Sequence, residues 1–450
     1  MMNCRNYIFL LLIISTSVFG QSGTNGLNSP FSRFGLGDLN EQGFMHLRQM
    51  GNISASFADG HHLNIVNPAS YGFLQATSFE IGVETRFSNF DDGRVKESSG
   101  SGRLSYMALG FPLKNPINNL LERDKSKFNV GMAFHLVPVS TVAYNISIDE
   151  EDENIGQYRR SFVGNGGVYK VGWGTAVKYK NFSAGFNLGV NFGQITNERF
   201  TTFIDRRGAY NNIFTSEFNI RGFDYNIGVI YQHVFNKELV EDLTQGKTIK
   251  AINFGLTAKT RTGFTGMEEV FFRNELTLPA QAIVVPPVDT LVSESRSLDG
   301  SRLPSEFSFG ATYLSGAKFA LGVNFGITRW SEYVNPATPQ TLANTKRYSI
   351  GGYYRPNPAS ISSFFERVYY RFGLYYKEDP RSVSTQKLDT YGVSLGLGLP
   401  FVFQRKISHL SIGFDYGTRG TVEVLKENFF KVSLGFTFND DEWFIKRKFN

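Results

Sequence analysis

Between Val168 and Gly193 the chain reads VYKVGWGTAVKYKNFSAGFNLGVNFG, two alternating runs joined by Lys180 and Asn181. Tyr169, Val171, Trp173, Thr175, Val177 and Tyr179 share one parity, and Lys170, Gly172, Gly174, Ala176 and Lys178 share the other. The apolar parity restarts at Phe182, Ala184, Phe186, Leu188, Val190 and Phe192. Side chains alternate across a strand, so each run has one apolar face and one small or polar face. A two-residue connection leaves room only for a tight hairpin. A soluble sandwich strand also alternates, but this apolar face is long, aromatic-rich and bounded by Tyr and Phe. That polarity suits a strand with lipid outside and a polar or plugged lumen inside.

Composition points the same way. The 450 residues are 41% hydrophobic and 15% aromatic, with 46 glycines, yet mean hydropathy is -0.21. A helical membrane protein would be strongly positive, so strands are the expected spanning elements. At the N-terminus, Arg5 followed by the apolar run Tyr7 to Val18 reads as a secretory signal, with cleavage expected between Gly20 and Gln21. The run is too short to be a retained span. The only cysteine, Cys4, lies inside that signal, so the mature chain is expected to hold no disulfide and no Cys-ligated metal. The formal charge of +6 comes without a dense Lys/Arg cluster, which argues against nucleic acid as a partner. No cofactor motif is evident.

The expected organisation is a signal peptide at 1–20, an N-terminal hatch at 21–75, a barrel at 76–438 and a charged periplasmic tail at 439–450. The segment from Gln21 to Tyr71 is rich in Gly, Ser and Asn, with a short helix expected near Glu41 to Met50. Its apolar residues Phe31, Phe34, Leu36, Phe44, Met45 and Phe57 favour a packed plug over a loose tail. About fourteen strands follow, an even number as bacterial single-chain barrels require. They are expected near 76–90, 101–112, 126–145, 166–180, 181–197, 213–235, 248–262, 302–315, 316–331, 344–355, 365–377, 387–401, 406–418 and 427–438. If the first strand runs outward, the longest loop, 263–301, falls outside, and the two tightest turns, Lys180-Asn181 and Ser315-Gly316, fall inside. Two inner turns, around Leu120 and Leu243, are longer. The fold class is therefore all-β, a transmembrane antiparallel barrel with an N-terminal plug.

VNPASYGFL (Val66 to Leu74), just ahead of the first strand, resembles the Asn-Pro-Ala signature of the FadL-type outer-membrane family. Asn67, Pro68 and Ala69 match it residue by residue. Weaker matches follow in order at Arg302 to Tyr313, Thr328 to Tyr333 and Tyr369 to Tyr376. The resemblance implies a fourteen-stranded barrel closed by a hatch, carrying long-chain fatty acids or other hydrophobic small molecules down their gradient. The start NSPFSRFGLGDL and the end WFIKRKFN are also similar to a Gram-negative outer-membrane subgroup that has no assigned role. Relatives of this type include a shuttle protein of the type IX secretion system, so a secretion-accessory barrel gripping a protein partner through its outer loops is the alternative. Expected surroundings are outer-membrane lipid and lipopolysaccharide.

Pro138 falls mid-strand in FHLVPVSTVAYN, where proline removes a ladder hydrogen bond and marks an edge or bulge. In the resembled family a kink in the third strand opens the wall sideways, which makes Pro138 the lateral-gate candidate; a bulge at the outer rim without a transport role is the competing expectation. Glu80, Glu84, Arg86, Lys170, Lys178 and Arg371 sit on the polar parity of their strands and are expected to face the lumen, there to pin the hatch, balance charge or hold a carboxylate head group. Asp59, His61 and His62 invite a metal reading, but hatch packing explains them better than two adjacent histidines explain a metal site. Gly392 to Gly396 matches Gly-x-Ser-x-Gly, yet the alternation runs unbroken to Phe401, so no strand-to-helix elbow forms and Ser394 is an ordinary inward residue. Without a nucleophile–base pair elsewhere, an enzyme is not expected. The acidic run Ile148 to Asn154 reads as a solvated loop.

Overall fold

The computed structural model describes residues 29–114, 128–154, 156–205, 209–236, 249–278, 283–337, 340–383 and 386–442. The expected signal peptide, Cys4, the turns around Leu120 and Leu243 and most of the expected tail lie outside the described residues.

One short strand, β1 (Asp38–Leu39), precedes the barrel. The wall starts with β2 (Thr77–Asp91), β3 (Lys96–Pro112), β4 (Phe128–Asp152), β5 (Gly156–Tyr179), β6 (Phe182–Phe203) and β7 (Tyr210–Val234). The next strand of the wall is β8 (Lys250–Lys259), and its loop carries β9 (Thr262–Thr265), β10 (Met267–Leu278), β11 (Ile283–Ser297) and β12 (Ser301–Leu303). The wall continues through β13 (Glu306–Ser315), β14 (Phe319–Thr328), β15 (Thr345–Tyr354) and β16 (Tyr369–Lys377). After the small loop hairpin of β17 (Ser382–Val383) and β18 (Gln386–Lys387), it ends with β19 (Thr390–Phe403), β20 (Lys406–Arg419) and β21 (Lys426–Asp440). Fourteen of these strands form a closed antiparallel barrel. β21 returns to β2 in unbroken register from Thr77–Asp440 to Asp91–Lys426. Among the described residues no helix is long and apolar enough to cross a membrane.

The alternation dictates which way each strand faces. Along β6, Phe186, Leu188, Val190 and Phe192 are exposed on the outer wall, while Ser183, Asn187 and Asn191 are buried. The lipid band can be measured along β5, from Tyr179 near the inner turn to Tyr169. Ten residues make about 33 Å of tilted strand, close to the ~25 Å apolar belt of such barrels. Phe128 packs against Tyr179 in a tilted pair and Tyr169 stacks on Phe192, giving an aromatic pair at each rim.

Beyond Tyr169 the strands do not stop. Residues 146–165 and 198–212, expected as loops, mostly continue the β4–β5 and β5–β6 ladders, out to Asp152–Gly156 and Tyr158–Phe203. Above the membrane no lipid face is required, so the apolar alternation that marks the spanning region fades. Backbone pairing, helped by exposed cross-strand contacts such as Asp149–Arg159 and Ser147–Ser161, carries the hairpin on. The expected loop 263–301 also folds. β8 pairs β7 only from Ile227 to Val234, which leaves the upper half of β7 without a neighbour. β10 covers that edge from Tyr210 to Phe218, and β11 pairs with β10. An uncovered strand edge invites pairing with other chains, and the hairpin removes that hazard from β7.

The segment from Ser29 to Ala76 occupies the barrel interior. Phe31, Leu36, Phe44, Met45 and Phe57 are all buried. The helix expected across Glu41 to Met50 is a single turn, Met45–Arg48. Three apolar clusters tie the segment to the wall. Leu36 meets Trp330, Tyr333 and Phe218 under the outer loops. Phe44, Leu63 and Tyr71 meet Tyr106 and Val137 on one side, and Leu47, Met50 and Ile53 meet Tyr353 and Tyr369 on the other.

Candidate functional site

The small parity of the strands serves close approach rather than open space. A Cβ on Gly373 would lie 2.0 Å from the Gly51 backbone nitrogen, and one on Gly255 would lie 1.9 Å from the Ala55 carbonyl oxygen. Gly51 itself has φ 65°, a left-handed conformation that glycine adopts freely. At these points the plug backbone lies directly on the wall.

The Asn-Pro-Ala element docks in the same manner. Asn67 caps the 3₁₀ turn Pro68–Phe73, its side chain accepting from the Ala69 amide at 3.0 Å. Pro68 at the first turn position has no amide to leave unpaired. The Asn67 side-chain amide donates to the Ala55 carbonyl within the plug and to Val229 on β7. Ser183 of β6 donates to the Ala69 carbonyl at 2.6 Å. The three residues thus form a cap, a turn start and a wall contact in succession.

The charged residues of the polar parity all lie inside. Glu80 accepts from the Leu63 amide at 2.6 Å, and Glu84 holds plug Arg48 at 2.8 Å and wall Arg103 at 2.9 Å. Lys178 lies 3.8 Å over the Phe73 ring, and Arg371 donates to Gln49 of the plug at 2.8 Å and to Ser411 at 2.9 Å. Arg86 pairs across the wall with Glu427 at 2.6 Å. Lys170 lies 3.3 Å from Asp224, which also binds Lys259 at 2.5 Å. Four of the six therefore touch the plug. Arg371 is 4% exposed, and of the four cations in this set Lys170 is the one that borders the free space between segment and wall.

That free space is a cavity of about 230 Å³ between plug and wall. Leu39, Val139, Ile327 and Trp330 give it an apolar side, and Lys170, Asp224 and Lys259 a charged one.

Beside it the wall is incomplete. The β3–β4 ladder runs only from Pro112–Gly131 to Met107–Leu136. Above that point β3 and β4 have no paired residues. The β4–β5 register also slips between Pro138 and Ser140, a bulge at the proline. Plug residues take the place of β3: Asp38 pairs Thr141 and Leu39 pairs Ser140. The Asn40 amide donates to the Val139 carbonyl at 2.9 Å, and Gln42 donates to the Pro138 carbonyl at 3.1 Å. On the lipid side, just below the seam, Met107, Phe134, Leu136, Val171 and Trp173 line an apolar groove of about 510 Å³.

Sequence reasoning did not single out the clamp on β1. Asp38 is held by Arg381 at 3.0 Å and Arg419 at 3.1 Å. Arg381 also donates to the Phe31 carbonyl at 2.7 Å, and Arg419 stacks over the Phe31 ring. Burial alone would raise the Asp38 carboxyl, but Arg419 and Arg381 outweigh it and hold it well below its ordinary value. Arg419, Asp224 and Lys259 lie on the polar parity of strands, a signal that could have found them; Arg381 lies in a loop with no pattern.

His62 is buried and bonds Asp59 at 3.0 Å, with His61 half-exposed beside it. Among the described residues no three His, Cys, Asp or Glu converge on a metal position. Ser394 is buried within continuous β19 and accepts from the Gly51 amide at 3.1 Å, a plug contact. Ile148 to Asn154 forms the tip of the β4–β5 hairpin rather than a free loop.

Solved structures share this architecture. The Pseudomonas putida toluene transporter TodX matches at 12% identity and a TM-score of 0.57, over 90% of this chain and 99% of that one. A Pseudomonas aeruginosa FadL homologue matches at 13% and 0.55, over 89% and 99%, and the CymD monoaromatic hydrocarbon channel at 14% and 0.51, over 90% and 99%. At such identities the likeness is one of fold: a closed barrel of the FadL type. A comparison with curated proteins finds no match. The family model BamG aligns with residues 2–450, and by that match over nearly its whole length the chain belongs to the BamG family.

Proposed function

We propose that the barrel is a passive conduit for hydrophobic small molecules, closed at rest by the plug and opened sideways at the β3–β4 seam. The observation that carries this reading is the substitution of Asp38 and Leu39 for the missing upper part of β3. A wall strand borrowed from the plug leaves the wall when the plug shifts. The half-apolar cavity beside Val139 and the apolar groove on the lipid face flank that same point, so apolar surface is present on both sides of the seam. TodX and CymD, described as a toluene transporter and a monoaromatic hydrocarbon channel, make small aromatics sensible first probes.

A Leu39→Cys/Ser140→Cys pair joins directly opposed residues in a mature chain without native cysteine. Oxidation should abolish toluene and oleate flux into proteoliposomes, and reduction should restore it. Equal flux in both states overturns the reading.

A second reading rests on the outer extension. β5 runs thirteen residues beyond Tyr169, from Gly156 to Val168, about 40 Å of strand standing clear of the membrane. With the β10–β11 hairpin alongside, this is a platform for a protein partner, including secretion-system cargo. It predicts a co-purifying protein lost on deleting residues 267–297 while flux stays unchanged.

A further inference from the structure

Three histidine rings form a column between plug and wall. His46 and His62 come from the plug and His409 from β20, with centroids 4.8 Å and 4.9 Å apart. They are 3%, 2% and 4% exposed. Nε2 of His46, Nε2 of His62 and Nδ1 of His409 have no hydrogen-bond partner among the described residues. Such groups are expensive to bury, and three phenylalanines would fill the same space without that cost. We propose that the His46–His62–His409 column is a proton-released latch, holding the N-terminal segment in the barrel at neutral pH and loosening it in acid. This rests on the reading that the segment moves, and supplies its regulation.

The surroundings decide the direction. From the plug, Asp59 faces the column at His62, and His61 shares that carboxylate from its half-exposed side. From β2, Glu80 Oε2 lies 3.8 Å from His46 Nδ1. From β16, Tyr369 meets His62 and His409 edge-on, and its ring is covered by Arg371 and by Arg355. Tyr353 of β15 packs against Tyr369, and Tyr106 of β3 bonds the Met45 amide next to His46. The wall thus offers Glu80 as its single facing carboxylate against the fixed cations Arg371 and Arg355. Asp59 stands by His62 and Glu80 by His46, so among the described residues a proton on His409 has no carboxylate within ion-pair reach.

Burial, then the neighbouring charges, keeps His46 well below its ordinary value; burial likewise lowers His62. Released into water, both take protons near pH 6.5. The released state therefore binds more protons below that pH, and docking weakens as pH falls. His61 works the other way: its hydrogen bond to Asp59 raises it, so its proton favours docking. At pH 5 each silenced histidine weakens docking by up to about 30-fold, less what His61 returns.

The test is hydrogen exchange on the full mature protein in lipid nanodiscs at pH 7.5 and 5.0, corrected for intrinsic rates. Protection of residues 45–63 should fall at least tenfold in acid while the strands of the wall keep theirs. A His46→Gln/His62→Gln/His409→Gln variant should change less than twofold, and His61→Gln should respond more steeply than the parent. If the triple variant does not insert, His409→Gln alone should cut the response to a third or less. Unchanged protection of the parent at pH 5.0, or equal loss in the variants, overturns the latch. Toluene flux is read in parallel. Acid-loosened protection without altered flux removes the conduit reading and leaves the latch standing.

Discussion

Asp38 of the plug strand and Arg381 of the β16–β19 loop form a 3.0 Å ion pair in which neither side chain is more than 6% exposed. Sequence positions 343 apart thereby close one seam: Asp38 fixes β1 against β4, and Arg381 reaches down from outside to hold it.

Without Arg381, Asp38 keeps only Arg419 and the buried Asp379 loses its partner, and breaking a buried pair costs up to about 3–5 kcal/mol. Arg381→Ala should therefore free the plug strand. Limited proteolysis should then cut within residues 29–42, while the barrel keeps its heat-modifiable migration. The carboxyl is depressed, so its contribution is full above about pH 4 and is lost as pH falls below that value. Asp38→Asn should erase that part of the acid dependence.

At Gly373 the wall must yield to the plug. Gly373→Ala places a methyl group 2.0 Å from the Gly51 nitrogen, both sides being backbone. Overpacking of this kind costs about 1–3 kcal/mol. The expected result is faster hydrogen exchange at Met50 and Gly51, with the β15–β16 ladder intact.

Asn67 stabilises its turn by capping and its docking by the bond to Val229. Asn67→Ala should lose roughly 0.5–2 kcal/mol from the cap alone. Protease access to residues 60–74 measures it, and Asn67→Asp, which keeps the acceptor but not the donor, should recover part of the loss.

Two neighbouring residues of β6 separate wall from plug. Leu188 faces lipid six residues past Phe182, about 20 Å along the tilted strand and so near mid-bilayer. Leu188→Arg should lower barrel stability by about 2–4 kcal/mol in urea unfolding from bilayers. Asn187 faces inward, where its amide donates to the Ile65 carbonyl at 2.8 Å and its carbonyl accepts from Tyr71. Asn187→Ala should loosen the plug and leave the barrel's urea midpoint nearly unchanged.

Much of the barrel was legible because its signals are local. Strand number, the turn at Lys180-Asn181 and the inward parity of Glu80, Glu84 and Arg371 follow from a period of two and from loop length, which any short window contains. The turn expected at Ser315-Gly316 is instead the three residues 316–318, with Ser315 still paired to Phe319. The resemblance at Asn67, Pro68 and Ala69 fell on a turn that docks on the wall through Ser183 and Val229. The outer extension was missed because strands in water on both sides lose the alternation imposed by lipid, and the β10–β11 hairpin was missed because its partner is the vacated edge of β7.

The sequence by itself determined a lipid-facing barrel, since each residue's environment is set by its parity and the bilayer rewards that pattern strand by strand. Tertiary structure alone decided what the interior does. The seam beside Pro138 is filled by Leu39, Asp38 is clamped by Arg381 and Arg419, and His62 lies between the rings of His46 and His409. These contacts join residues up to 381 positions apart, with no periodicity to announce them. They exist because a closed wall brings distant strands around one short segment, and burial there makes each charge and each unpaired nitrogen matter.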